Sequence, residues 1–296
     1  MSDAGILPTI KTQAARAFDY RLLLCWLLAT LLPTLLVASP LGAIFSKVLD
    51  YSVDSAALAQ RLNLDAVSAL LGSYLENTGT VQANLTLGWI CVLLSAPLLT
   101  AMAAAIFAAP VKLPLRRLLA VAVFDYGRWF WLHLCAFLLY LLGFGFALVV
   151  GFSAELRVEE YVDANSFSQM RTFSWLLALL MALMTHFFIE IARAEMLLDT
   201  HLRFPPSAFI RALERGKILR RVVGYLVVCL LGAAVLLLLL MLRQSMSGSG
   251  WISSVSTVVL TQCSVIALAW LRTTRLFVLA ALGDPNVAGK LSHSRP

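Results

Sequence analysis

Charged residues are scarce in this sequence. Asp, Glu, Lys and Arg make up 13% of its 296 residues, whereas 60% are hydrophobic. A soluble domain carries about a quarter charged residues, because its surface has to face water. The composition therefore excludes an ordinary soluble domain and indicates a chain that faces lipid.

The sequence also lacks the motifs of the commoner enzymes. It has no phosphate loop of the GxxxxGK[ST] type, no HExxH, and no GxSxG or GxGxxG in a suitable context. These absences exclude the usual phosphate-loop ATPases and the commoner kinds of membrane protease, esterase and nucleotide-binding enzyme. The sequence assigns no catalytic residue.

No disulfide or metal pattern accompanies the cysteines. There is no close pair, no CxxC and no nearby histidine at ligand spacing, and each cysteine lies within an apolar run. Such residues are typical of small apolar packing positions. The five are Cys25, Cys91, Cys135, Cys229 and Cys263. We expect no metal ligand and no cofactor.

What the chain does contain is six apolar runs, each long enough to cross a bilayer as an α-helix. The predicted spans are about 22–44, 85–109, 129–152, 173–192, 222–242 and 251–271. We predict an all-α integral membrane bundle that forms a single domain over residues 1–296, with a short helical outer cap at 45–84. Residues 1–21 form a cytoplasmic tail, helical from Thr12, and residues 276–282 an interfacial helix.

The basic residues orient these spans. With the amino terminus inside, eighteen of the 23 Lys and Arg fall in inner segments, which is the positive-inside bias of membrane proteins. All seven tryptophans lie near a proposed span end, as an interfacial belt requires. We therefore expect both termini to be cytoplasmic. The net charge of +7 reflects this topology and contact with anionic lipid on the cytoplasmic face, not nucleic-acid binding.

Small residues recur every four positions in two of the spans. Residues at this spacing share one helix face, and small ones let a neighbouring backbone approach closely. The two stripes are Ala101, Ala105 and Ala109, and Gly143, Ala147 and Gly151. We expect each stripe to pack against another helix.

The ionisable groups of the fourth span form the candidate site. His186, Glu190 and Arg193 are spaced by four and three, so they share one helix face. Arg272 and Arg275, at headgroup level beyond the sixth span, are the candidate partners of Glu190. An ionisable group inside a membrane helix is costly unless it is paired or hydrated, so this polar cluster is a candidate functional site.

Three interpretations of this cluster remain open. It is a proton or ion relay, or else Glu190 pairs with Arg193 near the cytoplasmic boundary and fixes the depth of the helix. The third is a metal site formed by His133, His186 and Glu190, which would come from different helices without a recognised ligand spacing.

Part of the chain resembles a known kind of membrane protein. The segments that carry the resemblance are FFIEIAR (187–193), AFIRAL (208–213), the Arg220-Arg221 boundary, AWLR (269–272) and LF (276–277). They are similar to uncharacterised bacterial six-helix inner-membrane proteins, over about the last two thirds of the chain. A more distant similarity is to the membrane domain fused to some glycerophosphodiester phosphodiesterases. The resemblance implies a bacterial inner membrane and transfers no catalytic residue, because the hydrolase part is absent.

Three functions follow from these observations. The first is a non-catalytic scaffold or regulatory subunit, which holds a protein partner through the basic loop 193–221. The second is a transporter or permease component for a small solute or lipid, with a hydrated mid-membrane cavity and helices broken at Pro33 and Pro97. The third is an intramembrane enzyme that uses His186 and Glu190. The first is the leading hypothesis and the second its alternative.

Overall fold

The computed structural model describes residues 5–49, 71–109, 111–153, 155, 164–199, 202, 205–214, 218–246 and 251–284. Its helices, in chain order, are α1 (Ile6–Ala17), α2 (Tyr20–Leu49), α3 (Thr78–Ala108), α4 (Leu115–Phe124), α5 (Tyr126–Gly151), α6 (Ala164–Leu198), α7 (Pro205–Glu214), α8 (Ile218–Ser245) and α9 (Trp251–Gly283). Residues 71–76, directly before α3, are also helical. The described residues include no strand, so the predicted all-α class is confirmed.

Six of these helices are long and apolar enough to cross a membrane: α2, α3, α5, α6, α8 and α9. The chain is therefore a multi-pass membrane protein, and the predicted number of spans is confirmed. The six contain between 26 and 35 residues, which gives lengths of about 39 to 52 Å at 1.5 Å per residue. Because a hydrocarbon core is about 30 Å thick, each of these helices is longer than the core.

The described helices are arranged as three units, each a short helix followed by a hairpin of two long helices. The most extensive contacts in the bundle are those within the hairpins α2–α3, α5–α6 and α8–α9. The short helices α1, α4 and α7 pack on α9, α3 and α6 respectively. All three lie at the end of the bundle where α2, α5 and α8 begin, and this end is called the basic end below.

The buried core lies at the basic end. Its main cluster contains residues from the last parts of α3, α6 and α9 together with the first parts of α5 and α8. Many large side chains of the opposite halves are exposed, among them Leu141, Leu238 and Ile252. Tertiary packing is therefore densest at one membrane face, and the far halves of the helices present apolar side chains to lipid.

Residues 276–282 lie in the centre of this core, so the prediction of an interfacial helix is wrong. α9 continues without interruption to Gly283, and each of these seven residues is at most 5% exposed. The physical reason is the composition of the segment, which is apolar around its whole circumference. An interfacial helix needs a polar face, whereas a helix that is apolar all round is buried.

The amino-terminal segment also differs from its prediction as a tail that becomes helical at Thr12. α1 begins at Ile6 and buries Thr9, Ile10, Gln13 and Ala17. Trp270 in α9 donates from its indole Nε1 to the carbonyl oxygen of Ala14 over 2.9 Å. α1 is therefore an integral part of the basic end.

The spans extend into both described ends of the predicted outer cap at 45–84, and residues 71–76 of the cap are helical. α2 continues to Leu49, and α3 begins at Thr78. The central part of the predicted cap, residues 50–70, lies outside the described residues. The polar composition of this segment thus did not end either helix at the predicted boundary, because a helix can extend beyond the hydrocarbon core into water.

The small-residue stripe of α5 packs as predicted. Ala147 and Gly151 are buried, and α5 and α6 form one of the three hairpins. A Cβ atom added at Gly143 would overlap Oγ1 of Thr185, and one added at Gly151 would lie 2.9 Å from the ring of Trp175. The absence of a side chain at these positions lets the two helices approach closely.

Substitution of Gly143 by Ala is expected to destabilise the α5–α6 hairpin by about 1 to 3 kcal/mol, because the added methyl group overpacks the contact with Thr185. Gly145→Ala is the matched control on the same helix, where an added Cβ meets no atom within 4 Å. The control should be neutral or slightly stabilising, since Ala favours helix over Gly. Thermal unfolding of the two purified variants in one detergent measures the difference. Equal midpoints would show that the stripe does not set the helix spacing.

Candidate functional site

The predicted polar cluster is assembled from α6 and α9. α6 carries Glu190 and α9 carries Arg275, and each residue lies eight positions before the last residue of its helix. This places both about 12 Å inside the basic end. Arg272 and Arg275 were predicted to lie just beyond the sixth span. They are instead interior residues of α9, because the buried segment 276–282 prolongs this helix.

Glu190 is the centre of the cluster. Its side chain is 1% exposed, and the Arg193 side chain is 8% exposed. Oε1 of Glu190 accepts a hydrogen bond from Nη1 of Arg193, and Oε2 accepts one from Nε of Arg275 over 3.3 Å. Glu190 therefore contacts both Arg193 and Arg275. The two ion pairs neutralise a carboxylate that would be very unfavourable alone in a buried site.

Arg272 takes a different position from the one predicted for a partner of Glu190. Its guanidinium carbon lies 5.0 Å from the centre of the Trp26 ring, a cation–π distance. Within the described part of the chain, no carboxylate or carbonyl group accepts a hydrogen bond from it. Together with Glu190 and Arg193 it borders a void of about 10 Å³, which is close to the volume needed for one water molecule.

These four residues, Glu190, Arg193, Arg272 and Arg275, are called the arginine cluster below. Three guanidinium groups face one carboxylate, so the cluster carries two positive charges in excess. Glu190 and Arg193 are buried, whereas Arg272 and Arg275 are partly exposed. Because the surroundings are largely apolar, the excess charge is still costly.

His186 belongs to a separate polar contact. Its Nδ1 is hydrogen-bonded to the hydroxyl of Tyr140 over 2.6 Å, and its ring lies 6.0 Å from that of Tyr225, centre to centre. The histidine therefore links α6 to α5 and α8. It shares the helix face of Glu190, as predicted, but not its ion pairs.

The metal interpretation finds no support in the described residues, where no group of three His, Cys, Asp or Glu side chains could hold an ion. His133 is hydrogen-bonded through Nδ1 to the carbonyl oxygen of Trp129 over 2.8 Å and through Nε2 to Oγ1 of Thr100 over 3.4 Å. Both ring nitrogens of His133 are thus engaged within the bundle. His186 is engaged with Tyr140, and Glu190 with two arginines.

A second buried ion pair was missed by the sequence analysis. Nη2 of Arg221 in α8 donates to Oε1 of Glu195 in α6 over 2.6 Å, and the two side chains are 1% and 0% exposed. Both residues were assigned to the inner loop. One signal could have placed Glu195 inside the bundle: Ala194, Met196, Leu197 and Leu198 continue the apolar pattern of the fourth span beyond residue 192.

Other basic residues at this end cap the carboxyl ends of helices. Arg16 of α1 donates to the carbonyl oxygens of Phe107 and Ala109 at the end of α3, over 2.7 and 2.9 Å. Arg128 of α5 donates to the carbonyl oxygen of Asp199, just beyond α6, over 2.7 Å. Helix ends leave carbonyl groups without partners and carry partial negative charge, so arginine stabilises them. Part of the basic excess is therefore used inside the fold.

A cavity of about 540 Å³ lies beside the arginine cluster. It is lined by residues of α2, α8 and α9, among them Trp26 of α2, Leu236 of α8 and Leu268 of α9. Arg272 and Arg275 both line it. Sequence reasoning did not predict this cavity, because it depends on the spacing between helices that are distant in the chain.

Comparison of the chain with protein-family models, with curated proteins and with solved structures gave no match. The resemblance carried by residues 187–193 and the other quoted segments therefore stays a prediction. Function has to be inferred from the geometry.

Proposed function

We propose that this protein is a non-catalytic scaffold or regulatory subunit of a membrane complex in a bacterial inner membrane. The observation that carries the proposal is the engagement of Glu190, the best candidate for acid–base chemistry. Both of its oxygens accept hydrogen bonds from arginines, and its side chain is 1% exposed. A general acid or base has to reach the reacting group of a substrate. A carboxylate held in this way serves packing.

The proposed orientation places both termini in the cytoplasm. α1 and α9, the first and last described helices, pack together at the basic end. Short loops rich in Lys and Arg face the cytoplasm in inner-membrane proteins. The same rule brings the basic end into contact with the anionic lipids of that leaflet.

The basic loop 193–221 is divided between internal contacts and a proposed external one. Arg193 and Arg221 pair with Glu190 and Glu195 inside the bundle, and Arg211 pairs with Asp199. These three arginines form ion pairs within the protein. The proposal therefore assigns partner binding to Arg215 and Lys217, which lie outside the described residues in the segment between α7 and α8.

Charge reversal tests this assignment. The double variant Arg215→Glu/Lys217→Glu is expected to lower recovery of a stoichiometric protein partner by about tenfold or more, since like charges across an interface cost several kcal/mol. Arg116→Glu/Arg117→Glu is the matched control, because both residues are exposed on α4 at the same end of the bundle. The measurement is purification in a gentle detergent with mass spectrometry of the proteins that co-purify.

Two results would contradict the proposal. If the unaltered protein brings down no stoichiometric partner, it is not a subunit of a stable complex. If both double variants lose the partner equally, the contact is a general electrostatic attraction and residues 215 and 217 have no specific role.

Lipid handling is the second candidate function, and the cavity beside the arginine cluster favours it. The transporter alternative required broken helices at Pro33 and Pro97, but both prolines lie inside continuous helices. It also required a cavity lined by polar groups from several helices. The cavity has mainly apolar walls with charge at one end, which suits an amphiphile better than a small polar solute.

A further inference from the structure

We infer that the cavity between α2, α8 and α9 is a binding site for an anionic lipid, whose headgroup contacts Arg272 and Arg275 and whose acyl chain lies along α8 and α9. This inference goes beyond the proposed scaffold role. It does not depend on a protein partner, and it identifies the kind of ligand that the site accepts.

The positive charge beside the cavity favours an anionic ligand. The arginine cluster holds two positive charges in excess, and Arg272 and Arg275 are its two members that line the cavity. A guanidinium group has five N–H donors in a planar fork that fits phosphate and carboxylate oxygens. Within the described residues, Arg272 has no hydrogen-bond acceptor. A headgroup phosphate with one negative charge at this position would halve the excess and accept those hydrogen bonds.

Arg272 is held in place without being neutralised. Its guanidinium carbon lies 5.0 Å from the centre of the Trp26 ring, and both residues line the cavity. This cation–π contact holds the group beside the ring and uses none of its N–H donors. Arg275 is fixed by the bond from its Nε to Glu190. The two headgroup contacts are thus preorganised, which reduces the entropy lost on binding.

The direction of the cavity also supports a lipid ligand. It extends along α8 from Val228 to Leu236, and along α9 from Arg275 to Val265. The ten positions between Arg275 and Val265 correspond to about 15 Å. The charged end is therefore nearest the basic end of the bundle, and the apolar end points towards the middle of the membrane. A phospholipid in the leaflet at the basic end has the same polarity.

The cavity is accessible to a lipid from the side of the bundle. Leu268 lines the cavity and is 51% exposed, and Ala233 on the facing helix is exposed as well. The mouth therefore lies between membrane-spanning helices, where an acyl chain can enter sideways. A soluble anion such as inorganic phosphate would reach the arginines without filling the apolar walls. The volume of about 540 Å³ is within the range of about 300 to 1,000 Å³ that is usual for ligand pockets.

The test is native mass spectrometry of the full-length protein with phosphatidylglycerol or phosphatidylcholine added to the detergent. We expect one phosphatidylglycerol molecule to be retained in preference to phosphatidylcholine. Arg272→Gln should weaken this retention by about tenfold, because it removes charge-assisted hydrogen bonds to the headgroup. Arg243→Gln is its control, since Arg243 is exposed at the other end of α8.

A second pair of variants tests the apolar part and keeps the charges intact. Ala233→Trp fills the cavity from an exposed position, so the protein should fold and lose the bound lipid. Ala234→Trp is the matched control, because Ala234 is also exposed and does not line the cavity. Size-exclusion profiles confirm folding of all four variants.

The inference would be overturned by any of three results. The first is equal retention of phosphatidylglycerol and phosphatidylcholine by the unaltered protein. The second is full retention of phosphatidylglycerol in folded Arg272→Gln or Ala233→Trp. The third is displacement of the lipid by inorganic phosphate at equal concentration, which would show that the site recognises a free anion and that the apolar walls contribute nothing.

Discussion

Replacement of Arg221 by Met is expected to lower the free energy of unfolding by about 3 to 5 kcal/mol, the usual cost of removing one partner from a buried ion pair. The guanidinium group that neutralises Glu195 would be lost at a site where the two side chains are 1% and 0% exposed. Packing around the pair is tight, since a Cβ atom added at Gly283 would overlap the Arg221 guanidinium group. Few water molecules could enter to hydrate the remaining carboxylate.

The double variant Glu195→Met/Arg221→Met separates the ion pair from general packing. It removes both charges together, and apolar replacements of a buried pair are often neutral or stabilising. We expect it to recover most of the stability lost in Arg221→Met. Arg117→Met is the control for loss of a basic residue at the same end, and as an exposed substitution it should change stability by less than about 0.5 kcal/mol. Thermal unfolding in detergent gives the ranking of the three variants.

Failure of the double variant to recover stability would show that Arg221 acts through its shape and its other contacts. A double-mutant cycle then gives a coupling energy near zero, whereas a true pair gives a clearly favourable one. A single Glu195→Met variant completes the cycle.

The six spans could be predicted from sequence because the bilayer imposes a length and a composition that local patterns reveal. The helix ends could not, because at the basic end the helices leave the hydrocarbon and pack on one another. Residues 276–282 illustrate the difference. Their apolar composition was visible in the sequence, but only packing against α1, α6 and α8 turns this segment into the centre of the core.

The candidate site divides in the same way. The pairing of Glu190 with Arg193 was predictable, since a spacing of three places both on one helix face. The contact between Arg272 and Trp26 joins positions far apart in the chain, so no local pattern indicates it. The positive-inside bias showed that the arginines are concentrated at one end of the spans. It could not distinguish arginines that cap helix ends, such as Arg16, from those that line a cavity.

Replacement of Glu190 by Gln is expected to be at least as damaging as loss of Arg221. It leaves the three guanidinium groups of the arginine cluster without a carboxylate, and an unpaired buried charge costs about 3 to 5 kcal/mol. The expected result is a lower yield of folded protein and a lower unfolding temperature in detergent. Glu76→Gln is the control, because the Glu76 side chain is 71% exposed in its pair with Lys47, and exposed pairs contribute about 1 kcal/mol or less.

The double variant Glu190→Gln/Arg193→Gln distinguishes a structural carboxylate from a functional one. It restores the net charge of the arginine cluster to its original value, so stability should recover in part if Glu190 serves packing. A carboxylate that relays protons would behave differently: Glu190→Gln would then fold normally and lose activity, and removal of Arg193 would restore nothing. Normal folding of Glu190→Gln would therefore contradict the observation that supports a non-catalytic role. Such a result would indicate that the Glu190 carboxylate of the unaltered protein serves chemistry and not packing. His186, one helical turn away on the same face, would then be the next residue to substitute.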